Sequence, residues 1–181
     1  MTEAREWSEE LVAECLELDG YLVLRNVPTT TAKGGGRNEA DLVAFRRSPK
    51  NGDHTELLDI EVGAYADSKA EQAGRIARKF SRDRRRFLLN LLRARWGLRR
   101  TQYERLFVVV YWPSKASTLE RDRKLLEKSG IGVVGLNTII AAALSKIRNE
   151  EYELPRSARL LKVVQHVDWT IESEQGRRTE S

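Results

Sequence analysis

The chain has 181 residues, 40% hydrophobic and 33% charged, with a formal net charge of +5 and an isoelectric point near 9.5. That size and apolar content suit one compact domain and exclude a wholly disordered chain. A single cysteine, Cys15, excludes a disulfide framework and points to a reducing, cytoplasmic setting. The first residues lack the apolar core of a secretion signal, and no apolar run approaches the ~20 residues that cross a bilayer. The basic balance favours an anionic partner, nucleic acid first.

In chain order, Trp7, Leu11, Cys15 and Leu18 recur at helical spacing and predict a helix from about Trp7 to Leu18, stopped by Asp19-Gly20. Cys15 reads there as a small core residue. Tyr21 to Val27 reads as a strand, ended by Pro28. Lys33-Gly34-Gly35-Gly36-Arg37 is a loop, because three glycines cost too much backbone entropy for a helix or strand. It lacks the ending of a phosphate-binding P-loop.

Strands are predicted over Glu39–Arg46 and Thr55–Gly63, joined by a turn through Ser48-Pro49-Lys50-Asn51-Gly52-Asp53. The short connections predict an antiparallel meander. A long helix follows, about Ser68 to Arg95, with a kink or split at Arg82-Asp83-Arg84-Arg85-Arg86. The apolar run Leu106 to Trp112 predicts a central strand covered on both faces. Then come a helix (Thr118–Lys128), a short strand (Ile131–Leu136) and a helix (Thr138–Asn149) capped by Asn137. Arg156 to Trp169 is a last helix or strand, and the polar tail is about 171–181. The fold class is α/β, a mixed sheet with helices on its faces. A single domain covers 1–170, with a core at about 7–112 and an extension at 113–170.

Asp41, Asp59 and Glu61 stand in strands otherwise rich in Leu, Ile, Val and Phe. An ionised carboxylate in a core costs several kcal/mol unless it is paired or binds a metal. Alternation puts Leu57, Asp59, Glu61 and Gly63 on one face of their strand, and Glu39, Asp41, Val43 and Phe45 on one face of theirs. If those faces coincide, Asp41 and Glu61 converge as hard oxygen donors suited to Mg2+ or Mn2+. The plainer alternative is a set of solvated acids near strand ends. His54 and His166 stand alone, without ligand spacing, and no nucleophilic serine or cysteine pattern is present.

The helix containing Glu10, the Gly20-Tyr21 turn, the run Gly34-Gly35-Gly36-Arg37-Asn38-Glu39-Ala40-Asp41-Leu42-Val43-Ala44 and the segment Asp59-Ile60-Glu61-Val62 resemble the core of the PD-(D/E)xK restriction-endonuclease-like superfamily. The flavour is that of archaeal Holliday-junction resolvases and small restriction-type endonucleases, over roughly residues 7 to 112. The resemblance implies an αβββαβ core with a mixed sheet, Mg2+-dependent hydrolysis of DNA, and Asp41 and Glu61 as metal ligands. Glu10 or Glu14 would add a third acid. The family pattern has lysine two residues after the glutamate, and Gly63 occupies that position. Lys69 or Lys79 from the following helix could supply the basic group, or Gln72 could orient a water.

From Lys69 to Arg100, twelve basic residues face two acidic ones, so this stretch carries +10 and the remainder −5. Arg75, Arg78, Lys79, Arg82 and Arg86 recur at helical spacing, with Arg85 beside them, and the separate loop ending at Arg37 could wrap a backbone phosphate through its amides. Arginine suits bidentate phosphate contact. The expectation is a metal-dependent DNA endonuclease, with RNA not excluded as partner. The alternatives are a binding module that has lost catalysis, or an assembly domain meeting an acidic protein. Ile139–Leu144 and Leu160–Val167 offer apolar surface for a homodimer.

Overall fold

In the computed structural model, residues 3–29, 39–48, 54–64, 71–98, 100–110 and 116–147 are described. Their elements are α1 (Glu3–Leu18), β1 (Leu22–Pro28), β2 (Glu39–Arg47), β3 (Thr55–Gly63), α2 (Glu71–Lys79), α3 (Arg82–Trp96), β4 (Thr101–Val109), α4 (Ala116–Lys128), β5 (Ile131–Gly135) and α5 (Leu136–Ile147). The strands pair in the order β1-β2-β3-β4-β5. The first three form an antiparallel meander, and β4 and β5 join parallel to β3 and to each other. The chain is therefore α/β with a five-stranded mixed sheet.

Strand alternation sorts the core into two faces. Leu42, Ala44, Ile60, Val62 and Val108 point to α1 and α5, where Leu11, Val12, Cys15, Leu16 and Ala143 cover them. Val43, Phe45 and Leu57 point the other way, under Leu88 and Leu92 of α3. Phe107 and Val109 lie under Ala73, Ile76 and Phe80 of α2 and Leu126 of α4. β4 is thus covered on both sides, as its apolar run predicts. It begins at Thr101, five residues earlier than expected, because Gln102 and Glu104 keep exposed positions in a strand whose apolar half starts later.

The predicted long helix is two helices. α2 ends at Lys79, and Ser81 opens α3 as its N-cap, with extended backbone and a side-chain oxygen accepting the Arg84 amide at 3.1 Å. Gly97, at φ 66, closes α3 in the left-handed conformation that glycine takes without strain. Helical spacing across Phe80–Ser81 therefore fails, and Arg75, Arg78 and Lys79 do not continue into Arg82 and Arg86 as one face. α5 starts at Leu136, so Asn137 lies inside it rather than capping it. Its Ile139, Ile140 and Ala143 pack onto the α1 core, which spends within the chain much of the apolar surface offered for a dimer. The 156–169 segment and the tail lie outside the described residues. Among those described, no helix is long and apolar enough to cross a membrane.

One strand breaks its alternation. Asn26 has φ 51, a conformation asparagine tolerates better than most residues. Val23 packs toward α1 and Leu24 toward α3. Arg25 reaches Glu10 and Glu17 of α1, yet Val27 packs with the α3 cluster. The register carries Asp41 opposite this residue, between the pairs Arg25–Leu42 and Val27–Ala40.

Ser81→Ala removes the α3 cap and is expected to lower stability by about 1 kcal/mol. Urea denaturation of the two proteins measures the difference.

Candidate functional site

The β2–β3 register pairs Val43 with Asp59 and Leu42 with Ile60, so the two acid-bearing faces coincide. One step further places Asp41 across from Glu61. All three acids are enclosed: Asp41 is 4% exposed, Asp59 fully buried and Glu61 1%. The solvated alternative therefore fails.

What compensates them is chiefly a residue that sequence reading counted among the surface bases. Arg84 enters the core from the first turn of α3 and is itself 4% exposed. Its Nε donates to both oxygens of Asp59 at 3.0 Å, Nη2 also meets Asp59, and Nη1 donates to Glu61 Oε1. The Tyr103 hydroxyl of β4 donates to Asp59 Oδ2. A signal for this was present: Arg84, Leu88 and Leu92 are spaced by four and form the buried stripe of α3. Burial pushes the Asp59 carboxyl above its ordinary value, while Arg84 and Tyr103 pull against that. Burial, with Asp59 alongside, raises the Tyr103 hydroxyl far above its own.

Lys79, the last residue of α2, brings Nζ to Glu61 Oε2. Glu61 is thus bracketed by two cations, one locked in the core and one with a side chain 46% exposed. The helix that follows β3 therefore supplies an ammonium beside the glutamate, which Gly63 cannot do. Gly63 is not required by packing: a Cβ there would meet Phe107 ring carbons at 3.6 and 3.7 Å, ordinary contact. Gln72 is buried with its amide toward the Ala64 carbonyl at 3.4 Å. Asp41 Oδ2 accepts the Val62 amide at 2.9 Å, so its carboxylate sits against the β3 backbone one residue past Glu61.

The remaining expected residues divide. Glu10 is salt-bridged to Arg25 on the α1 side of the sheet, across from the face holding Glu61. Glu14 lies on the same helix, with Oε2 buried and without a hydrogen-bond partner among the described residues. Neither joins Asp41 and Glu61 in a cluster: among the described residues, no group of three or more His, Cys, Asp or Glu could hold a metal ion. Burial and the neighbouring Glu14 push the Cys15 thiol up to about 11, which fits the core role expected of it. Arg75, Arg78, Arg82, Arg85 and Arg86 are exposed on α2 and α3. Lys69, Arg37 and His166 lie outside the described residues.

Arg82, Arg85, Arg86, Leu89, Asn90 and Arg93 line a shallow groove of about 480 Å³ along α3. A smaller cavity of about 240 Å³ adjoins it at the start of α3, sharing Arg82 and Arg85. Arg86 is paired with Asp83 at 2.9 Å across exposed surface. The basic surface thus follows one helix, whose inward side carries the arginine that holds the acids.

Arg84→Met leaves Asp59 and Glu61 buried without their guanidinium and is expected to cost about 3–5 kcal/mol. Tyr103→Phe removes a donor to a charged group and should cost about 1.5–3 kcal/mol. The folded state holds the Tyr103 proton above the ordinary value of 10.0. The unfolded chain releases it first, so this contribution is complete below about pH 10 and falls as pH rises further. Denaturation series from pH 8 to 11 should show a weaker alkaline loss for Tyr103→Phe than for the parent.

No family model, no curated protein and no solved structure matches this chain.

Proposed function

We propose that this chain is a nuclease-type domain of the restriction-endonuclease-like class, acting on phosphodiester bonds of DNA. The observation that carries the reading is Lys79 at Glu61, with Asp41 on the neighbouring strand. It restores, from a helix, the basic group that the resemblance demands and Gly63 lacks. The element order supports the same reading: a helix, a three-strand meander, helices and a strand parallel to the third.

A divalent cation fits the donor chemistry of Asp41 and Glu61, two hard carboxylates at adjacent sheet positions. The fit is limited to these two acids, and Glu61 Oε2 is free for it only once Lys79 swings away. The half-exposed lysine can do this on its four-carbon stem, whereas Arg84 is enclosed. Asp41 and Glu61 would hold Mg2+ or Mn2+, which supplies Lewis acidity toward a phosphoryl oxygen. Arg84 fixes the Glu61 carboxylate in place through Nη1. Lys79, were it displaced from Glu61, would offer its ammonium to the charge that develops on the phosphoryl oxygens. The α3 groove lays guanidinium groups along the strand backbone.

A second reading is favoured by the same salt bridges. With both Glu61 oxygens engaged by cations and no three-acid group among the described residues, the domain binds nucleic acid without cleaving it.

Cleavage of single-stranded, duplex and branched DNA with Mg2+ or Mn2+ separates the two. The nuclease reading expects product, with at least a hundredfold loss in Asp41→Ala, Glu61→Ala and Lys79→Ala. The binding reading expects no product from the parent and cleavage gained in Gly63→Lys, which the space beside Phe107 admits. Both readings expect log K to fall with log salt at a slope near −5, for about six phosphate contacts. No nucleic-acid binding at low salt would overturn both.

A further inference from the structure

The cavity at the start of α3 holds a residue that the basic-helix argument does not contain. Arg105 comes from β4, in register with Asp59 of β3. Its Nη2 donates to the Ser129 carbonyl at 2.6 Å. A Cβ at Gly130 would lie 2.7 Å from that nitrogen, and Gly130 has φ 70. The positive φ favours glycine in the turn, and its missing side chain leaves the space against the α4–β5 backbone that the guanidinium occupies. Arg105 is thus held in place by backbone rather than by a carboxylate. Arg82 and Arg85 reach the same cavity from α3, and Phe80 and Tyr103 wall it, with the Arg85 guanidinium over the Tyr103 ring at 5.2 Å. Among the described residues, none of the three guanidinium groups is paired with an acid.

Three guanidinium groups on one cavity, none paired with an acid among the described residues, repel one another, and an anion between them relieves that repulsion. The volume, about 240 Å³, falls below the ~300 Å³ at which small-molecule sites begin. It admits a phosphate group, with or without its sugar, rather than a whole nucleotide. The cavity continues into the α3 groove through Arg82 and Arg85. We propose that Arg82, Arg85 and Arg105 form a phosphate-binding subsite at the end of the α3 groove, seating a phosphate of the bound strand. The phosphate is either a terminal group or an internal one of the backbone. This rests on the nucleic-acid half of the function proposed above and does not require hydrolysis.

The test uses the full chain in EDTA. Melting temperature is read with and without inorganic phosphate. Affinity is read by fluorescence anisotropy for a short single-stranded DNA with and without a 5′-phosphate. Arg105→Gln should abolish the rise in melting temperature with phosphate and weaken strand binding about tenfold, while Arg105→Lys recovers part of both. A 5′-phosphate that strengthens binding to the parent alone identifies a terminal group; equal affinities for the two strands identify an internal one. If Arg105→Gln does not fold, Arg82→Gln, at an exposed position, gives the same readout. Parent-like phosphate response and parent-like strand affinity in the variant overturn the subsite, leaving the nucleic-acid reading intact. A phosphate response lost in the variant, with no strand bound by the parent, supports the subsite for free phosphate and removes the nucleic-acid reading.

Discussion

Two carboxylates in the core are tolerable because one guanidinium reaches both. An uncompensated buried charge costs several kcal/mol after relaxation, and Asp59 and Glu61 share a face two residues apart. Arg84 answers with its planar fork: Nε and Nη2 on Asp59, Nη1 on Glu61. A lysine, with a point charge, would serve one acid and leave the other. The geometry also constrains the backbone. Arg84 has to start from the first turn of a helix lying across the sheet, and the break at Phe80–Ser81 sets that start. The helix break, the Ser81 cap and the buried acids are parts of one arrangement.

The same helix then carries two populations of arginine. Arg84 replaces an apolar residue in the stripe that Leu88 and Leu92 continue, and is neutralised inside. Arg82, Arg85 and Arg93 point to solvent and line depressions on the surface. The charge of this region is therefore less than its count of bases implies, and its outward part is concentrated along one groove. The placement links the groove to the acids through a single element, with the groove on the outward side of α3 and Asp59 and Glu61 enclosed beneath its inward side.

Much of the fold was legible, because β2 and β3 are rich in Leu, Val, Ile and Phe and the turn between them carries Pro, Asn and Gly. The bounds of β3 agree with expectation residue for residue. The start of β4 was not legible: Thr101 to Arg105 alternates with polar residues and carries no apolar run. The separation of α2 from α3 was visible only as a disturbance in the arginine run, because Ser81 as a cap is one residue in a helical pattern. At the site, acids in apolar strands announced that something had to compensate them, and alternation placed them on one face. Lys79 was reachable by topology. Arg84 was hidden by its neighbours: in Arg82-Asp83-Arg84-Arg85-Arg86, composition treats four arginines alike, and only the four-residue spacing to Leu88 and Leu92 distinguishes one. Arg105 was missed because it is an isolated base in a strand, joined to the others only in three dimensions.

The left-handed turn of Asn26 has a separate effect at the rim of the sheet. β1 bounds one side of the sheet among the described residues, so its outer amides and carbonyls face no further strand there. A straight, regular rim is a template onto which other chains can add strands. The reversal at Asn26 throws the two halves of β1 out of phase, so an incoming strand could match one half but not both. The opposite rim among the described residues, β5, is five residues long with Gly132 inside it, too short to seed much pairing. Among the described residues, both borders of the sheet therefore present a shape on which a further strand pairs poorly.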